Sequence, residues 1–533
     1  MSFFAVFRGL AVALLLAPVL AVLAAWLQWD AASALVWHGL LETVLPDYTA
    51  TSLLLCALVA IGVVSIGSVS AAAVTLFDFS GRQVLSWLLL LPLAMPAYVV
   101  AYAYTDFLQY SGPLQNWLRI QTGWQGALWP DIRNIWGAAA VLSLSLYPYV
   151  YLLCRSALTE RAPQLMEAAR LLGTGLGRRI LRVAFPLARP AMVAGLALAM
   201  METLADFGVS SYFGVQTFST GIYKAWLVMD DRVAAAQLSS VLLIVVATVL
   251  WVEHRAQSRM RFVNRRGVAR TSESQPLRLQ GLPAALATVL CLLPVLFGFV
   301  VPLLIMGHAL WLGGAHQGLP WTAFLGWFWN SLRLGGISAI LAAAIALWLA
   351  HGLRVRANGW HRLSAQLAGL GYAVPGVVIV VGLLIPVGWV QLQWPDSGVG
   401  YWLTATVLGL VWAYLVRFIA VALQSVQSGY ARIAVSADES ARMLGCVGRD
   451  VFARVHWPLL RPTVASALLL VWVDVMKELP ATLVLRPFNT DTLAVMAYQL
   501  ARDERLGEAA LPSLALVLAG LIPVMLMAKA QQK

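Results

Sequence analysis

Apolar runs of about 20 residues, the length a helix needs to cross the hydrocarbon of a bilayer, recur along this chain and dictate what it can fold into. Twelve of them fall near 9–28, 51–77, 84–106, 134–155, 188–206 and 233–252, then 283–311, 331–351, 364–390, 402–424, 460–476 and 510–529. A water-soluble protein of 533 residues has no means of hiding so much apolar surface: 61% of the chain is hydrophobic and only 11% charged. Lipid offers no partner for a bare peptide group, and open sheets fail there, so the expected fold is an all-α integral membrane protein with twelve transmembrane helices. Arg8 followed by the run from Leu10 to Leu27 could be a cleaved signal, but with so many spans behind it an uncleaved first span is the better reading.

The charges orient the chain. Net charge is +12, and the long polar stretch between the two sets of six runs carries Arg255, Arg259, Arg261, Arg265, Arg266, Arg270 and Arg278 against Glu253 and Glu273. Lys and Arg beside spans mark the cytoplasmic side, which explains this basic balance without invoking nucleic acid. An even number of spans on each side of that linker then leaves both termini cytoplasmic. Residues 29–50 hold Asp30, Glu42 and Asp47 but no Lys or Arg, and residues 309–329 hold no charged side chain; both are expected outside. Arg354, Arg356 and Arg362 fall in a loop that the same count places inside. The four cysteines form no CxxC pair and read as packing residues.

Two loops repeat. One reads Glu167-Ala168-Ala169-Arg170-Leu171-Leu172-Gly173, then Val183-Ala184-Phe185-Pro186 and Arg189-Pro190. The other reads Glu439-Ser440-Ala441-Arg442-Met443-Leu444-Gly445, then Val455-His456-Trp457-Pro458 and Arg461-Pro462, every position displaced by 272. Earlier in each half, Ser52-Leu53 matches Ser331-Leu332 and Met95-Pro96-Ala97 resembles Val374-Pro375-Gly376, at an offset of 279. Apolar bias alone does not produce such spacing; the chain reads as a tandem duplication. The halves are a six-span unit over 1–254 (core about 51–253), a basic linker over 255–281, and a second unit over 282–533 (core about 330–529). Six spans per copy give both the same orientation, so they are expected to pack about a pseudo-two-fold axis along the membrane normal.

Each repeated loop is expected to begin as a helix near Pro163 or Ser436 and to end at Gly173 or Gly445, where a positive φ suits glycine. A short basic helix (Arg178, Arg179, Arg182; Arg449, Asp450, Arg454) should follow and stop at Pro186 or Pro458. A plain positive-inside connector accounts for the arginines but not for acid, small pair, Gly and Pro at matched spacing. The pattern resembles the EAA loop of ABC-importer permeases: Glu-Ala-Ala, three residues, Gly, nine residues, Ile-x-Leu-Pro. Ser440 replaces the first Ala of its copy, Val183 and Val455 stand for Ile, and Phe185 and Trp457 for Leu. The resemblance implies a type I ABC importer permease with two parallel six-helix repeats. It also implies that Glu167, Ala168, Ala169, Gly173, Pro186, Glu439, Ser440, Ala441, Gly445 and Pro458 couple to two cytoplasmic ABC ATPase subunits.

A narrower resemblance follows the fifth run of each half. Leu204-Ala205-Asp206-Phe207-Gly208, Tyr212-Phe213-Gly214 and Thr220-Gly221-Ile222-Tyr223-Lys224-Ala225-Trp226 are similar to the first half of ferric-iron importer permeases. Lys477-Glu478-Leu479-Pro480-Ala481-Thr482, Leu485-Arg486-Pro487-Phe488 and Asp491-Thr492-Leu493-Ala494 are similar to the second. Asp206 and Glu478, again 272 apart, are candidates for the translocation path or an external gate, because ionisable groups at span ends are costly and often functional. The competing reading is that Lys477 and neighbouring backbone groups merely satisfy them. Arg417, inside the tenth run, is expected to snorkel to its cytoplasmic end, with pairing to a carboxylate as the alternative. Pro96 and Pro375 are expected to break their spans.

The chain contains no GxxxxGK[ST] and no Gly-Lys pair, so it builds no phosphate-cradling loop of its own; ATP and Mg²⁺ would be bound by the partner ATPase. No catalytic constellation appears, the seven histidines are dispersed, and no metal site or cofactor is expected. The reading is an inner-membrane, binding-protein-dependent importer permease, not an enzyme, with ferric iron as the solute and an external solute-binding protein delivering it. Thiamine, phosphonate or polyamine importers are the near alternatives. A secondary transporter driven by an ion gradient is the alternative from another class.

Overall fold

The computed structural model describes residues 3–27, 30–261, 276–316, 321–355 and 358–532. The linker charges Arg265, Arg266, Arg270 and Glu273, and also Arg356, lie outside them. Among the described residues, eleven helices are long and apolar enough to cross a membrane, and one further pair, Arg82–Ala94 and Ala97–Thr122, is apolar enough taken together but bends by 89° at its break. Nearly all regular structure is helical, as a backbone without water requires; one short parallel pairing joins Phe77–Asp78 to Leu277–Arg278.

The prolines break the spans where expected. Pro96 (φ −58°, ψ 138°) and Pro375 (φ −57°, ψ 142°) each stand as the extended residue before a new helix, Ala97–Leu108 and Gly376–Gln393. Other boundaries differ from the sequence reading. The stretch 29–50 is largely helical (Ala31–Glu42, then Leu45–Leu76) rather than a loop, and the eighth span starts at Trp321. Runs of apolar residues mark only the lipid-matched centre of a helix, whereas hydrogen bonding continues beyond it.

Contacts sort the chain into two compact units that interleave the sequence halves. One comprises Met1–Leu40, Ile222–Ser240 and Pro320–Met496; the other comprises Leu41–Gly221, Val241–Leu319 and Ala497–Lys533. In the first unit the helix Phe3–Ala24 lies along Gly376–Gln393, and a Cβ at Gly382 would overlap the Pro18 carbonyl. Its core is the trio Trp321–Val355, Val407–Ala431 and Trp457–Lys477, which pack on one another and carry the fully buried Ala346, Ala422 and Ala467. In the second unit Leu45–Leu76, Ile135–Leu171 and Phe185–Ala205 form the corresponding trio. There Gly67 would place a Cβ 2.8 Å from the Tyr147 carbonyl oxygen, and Gly195 one 2.6 Å from Val150 Cα. Small residues let helices approach closely where lipid provides no hydrophobic drive of its own.

Candidate functional site

The helix carrying Glu167 does not begin at Pro163. It is the end of one 37-residue helix, Ile135–Leu171, capped at its start by the Asn134 carboxamide, which accepts from Trp136 N and Gly137 N. A proline loses one ladder bond but keeps a helical φ, and a long helix anchored by a span absorbs that loss. The second copy is a separate helix, Val435–Met443, divided by a three-residue break from Val407–Ala431. Both end alike. Gly173 (φ 74°) donates to Arg170 O and Thr174 N to Ala169 O; Gly445 (φ 85°) donates to Arg442 O and Cys446 N to Ala441 O. These are Schellman caps, which satisfy the last carbonyls of a helix and need a residue free to take positive φ.

Glu167, Ala168, Glu439 and Ser440 are exposed, Ala169 is half-buried and Ala441 buried. Sequence reasoning missed their apolar neighbours. Leu171, Leu172, Met443 and Leu444 are between 82% and 89% exposed, at the tips just before each glycine. The available signal was the apolar pair preceding Gly at both repeats, which periodicity alone would have assigned to packing.

Neither Pro186 nor Pro458 stops a helix. The chain runs on as continuous helices, Leu176–Ala205 and Arg449–Lys477. Each proline follows a π-turn, Ile180–Ala184 and Phe452–His456, 272 residues apart. The one-residue shift in bonding register accommodates the missing N–H and the ring, so the helix persists.

The second segment is tied down by charge. Asp438 accepts from Arg354 Nε at 2.9 Å and meets His456 Nε2 at 3.0 Å, while Arg354 also donates to Ala434 O at 3.1 Å. Burial by itself raises the Asp438 carboxyl, but the hydrogen bonds from Arg354 and His456 outweigh it and hold the group below its ordinary 3.8. In the first segment the positions 272 earlier are Met166 and Ala184, both buried and apolar.

The candidate gate carboxylates are helix caps. Half-buried Asp206 accepts from Ser210 N and Ser210 Oγ at 2.9 Å each and from Val209 N at 3.3 Å, heading the short helix Gly208–Tyr212. Buried Glu478 accepts from Ala481 N at 3.0 Å, Thr482 N at 2.9 Å and Thr482 Oγ1 at 2.7 Å, heading Pro480–Leu485. Arg417 does not snorkel: its guanidinium donates to Glu478 Oε1 at 3.2 Å, because a buried carboxylate in low dielectric needs a countercharge more than the arginine needs water.

Their surroundings differ. Phe207, next to Asp206, packs on Tyr498, whose hydroxyl is 2.8 Å from Ser211 Oγ; Tyr212 packs on Tyr102 with centroids 4.6 Å apart, and Tyr102 on Tyr98. Among the described residues the buried Tyr102 hydroxyl has no hydrogen-bond partner. Around Glu478 stand Arg417, Phe418 and Tyr414, whose hydroxyl bonds Thr482 Oγ1 at 2.7 Å. Among the described residues no group of three or more His, Cys, Asp or Glu side chains gathers as a metal site.

Many apolar spans and a repeated, exposed, polar-and-apolar tip mark a membrane-embedded protein with two matching surfaces outside its spans. Residues 64–261 match the family described as "Binding-protein-dependent transport system inner membrane component". Over 490 residues (91% of this chain and 90% of the relative) the sequence is 24% identical to an Fe(3+)-transport system permease protein of Haemophilus influenzae. It is also 24% identical over 440 residues to a ferric transport system permease protein of Actinobacillus pleuropneumoniae, covering 78% of this chain and 61% of that one. A shorter likeness, 28% over 211 residues (40% of this chain, 75% of the relative), joins it to a putative 2-aminoethylphosphonate transport system permease of Salmonella typhimurium. Over most of its length the chain is similar to inner-membrane permeases of binding-protein-dependent transport.

Proposed function

We propose that this permease carries ferric iron inward, powered by two cytoplasmic ABC ATPase subunits and supplied by an external binding protein. What carries the reading is the pair of exposed apolar tips, Leu171-Leu172 and Met443-Leu444, in a chain that resembles an Fe(3+) permease along 91% of its length. Each such side chain gains about 1.5–3 kcal/mol on leaving water, so four of them supply a large share of an ATPase interface. Glu167 and Glu439 stand one turn back and set the polar rim of that contact. Ala168, Ala169, Ser440 and Ala441 let the helix lie close, Gly173 and Gly445 make the elbow, and the continuous helices through Pro186 and Pro458 pass its motion into the fifth spans.

In this proposal 1–254 and 282–533 are two parallel six-span repeats in a twelve-span chain. Both termini and the 255–281 linker face the cytoplasm, where the basic residues lie. Asp206 and Glu478 position the short helices that follow the fifth spans and so shape the external gate. Glu478 is saturated by four donors; Asp206 is half-buried among phenols. Ferric iron is a hard ion that favours carboxylate and phenolate oxygen, and the chemistry near Asp206 suits a transient stop for it. The aminoethylphosphonate likeness supports phosphonate as the second reading, over a shorter stretch.

The test is uptake of ferric iron into proteoliposomes containing the permease, its ATPase and its binding protein. ATP-dependent accumulation is expected, with none when ATPase or binding protein is omitted. Uptake driven by an ion gradient without ATP would overturn the proposal. Glu167→Lys with Glu439→Lys should release the ATPase from a still-folded permease.

A further inference from the structure

The compact unit that contains the N-terminus holds a cavity of about 230 Å³. It lies where three spans end on one side: Phe7–Leu27 and Gly376–Gln393 at their C-terminal ends, Arg232–Glu253 at its start. Trp26, Trp389, Ile385 and Leu392 belong to the apolar part of its lining, and Ser33, Arg232 and Gln237 form the polar part. Tryptophans at this depth are the usual neighbours of lipid head groups.

Two polar groups in the wall are left with unused capacity. Gln237 is 4% exposed; its Nε2 donates to the Ser33 carbonyl at 3.0 Å, which orients the amide, and its Oε1 has no partner. A buried acceptor left unmade costs about 1–3 kcal/mol. Arg232 forms no ion pair among the described residues; its guanidinium lies near the Trp226 ring, 5.9 Å from the centroid. It also sits over Gly388, where a Cβ would come within 3.0 Å of one of its terminal nitrogens, so the missing side chain leaves the guanidinium its place in the cavity. The adjacent Asp231 carboxylate is engaged in capping, accepting from Ala234 N at 2.9 Å.

We propose that this cavity binds the head group of a membrane phospholipid, with Arg232 on the phosphate and Gln237 Oε1 accepting a hydrogen bond from the head-group alcohol or ammonium. The volume is below the roughly 300–1,000 Å³ that encloses a drug-sized ligand. It therefore takes a head group and the top of one acyl chain, the rest lying along the span surface. The orphaned acceptor dictates selectivity: phosphatidylethanolamine and phosphatidylglycerol have a donor to give, and phosphatidylcholine has none. Arg232 and Ala236 stand 272 residues before Glu504 and Glu508, which with Asp106 line a 740 Å³ cavity in the other unit. His308 and Arg505 also line that cavity, but Arg505 is committed to Glu508 at 2.7 Å and the three carboxylates outnumber the bases and repel a phosphate, so the lipid site belongs to one unit alone.

Native mass spectrometry of the full chain in detergent tests this, using dioleoyl phosphatidylethanolamine, phosphatidylglycerol and phosphatidylcholine in turn. The first two should bind about tenfold more tightly than the third, the size of one buried hydrogen bond. R232A and R232E should weaken all three, and R232K should keep most of the binding. Q237L should bring the favoured lipids down to the level of phosphatidylcholine. The head-group ranking in the unaltered protein decides the matter even if Q237L fails to fold. Equal binding of phosphatidylcholine, or unchanged binding in a folded R232E, overturns the proposal. Displacement of the lipid by equimolar glycerol phosphate, which has no acyl chain, would also overturn it, by assigning the site to a free phosphate ester.

Discussion

The segments ending at Gly173 and Gly445 arrive at the same terminal shape by different physics. The first is the tail of one unbroken helix, Ile135–Leu171, with buried Met166 and Ala184 at the positions equivalent to Asp438 and His456. The second is detached by the break at 432–434 and held by Asp438 between Arg354 and His456. A continuous helix transmits force through its backbone and needs only apolar packing at its flank. A helix hinged at a break needs a directional tie, and ionic hydrogen bonds supply one. The halves therefore carry the same surface motif on supports of unequal stiffness, and the second is the one that chemistry can loosen.

The largest expected effect removes what the two have in common. L171D/L172D with M443D/L444D should weaken ATPase association by well over 100-fold, since about 1.5–3 kcal/mol is lost at each position; pull-down of the ATPase measures it. If either double substitution alone is harmless, the two tips are unequal in docking as well as in support. Next comes the difference between the carboxylate caps. R417M strands Glu478 in a buried site and should cost about 3–5 kcal/mol. D206N removes only a cap, about 0.5–2 kcal/mol, so thermal unfolding should separate them clearly.

Asymmetry of support gives a smaller, pH-dependent signature. The Asp438 carboxyl is depressed in the folded chain, so its stabilisation is fully present above the ordinary value of 3.8 and is lost as pH falls through the folded value. Hydrogen exchange over 435–443 should therefore accelerate under acid, while 165–171, which has no such tie, stays flat. D438N should exchange about tenfold faster at neutral pH and lose the acid response. Equal acid sensitivity of both segments would remove the distinction. Smallest in contrast between the two segments are G173A and G445A, about 1–2 kcal/mol each for a Cβ at positive φ; they should fray both tips to the same degree.

Much of this was legible in residue order. Long apolar runs announced the spans, and the glycines announced helix ends because positive φ leaves few alternatives. Pro96 and Pro375 announced breaks because each precedes a helix it can start but not continue. Pro186 and Pro458 were misleading by the same rule, since a π-turn upstream removes the clash that ends a helix. Arg417 illustrates a different limit. Whether a basic residue within a span reaches water or a carboxylate depends on which helix lies beside it, and Glu478 is 61 residues away. Asp206 and Glu478 stand out in the sequence as charges at span ends, but their capping bonds need the backbone trace.

Membrane residence, the approximate spans, the repeated motif and the matched carboxylates follow from order alone, because hydrophobic length, charge bias and backbone stereochemistry are local quantities. Tertiary structure decided which spans pair, so that Phe3–Ala24 lies on a helix near residue 380. It also decided which apolar side chains remain in water at the tips, and which of two equivalent segments is held by an ion pair. Those outcomes depend on what comes to rest beside each side chain, and the energy of a buried group belongs to its neighbours as much as to itself.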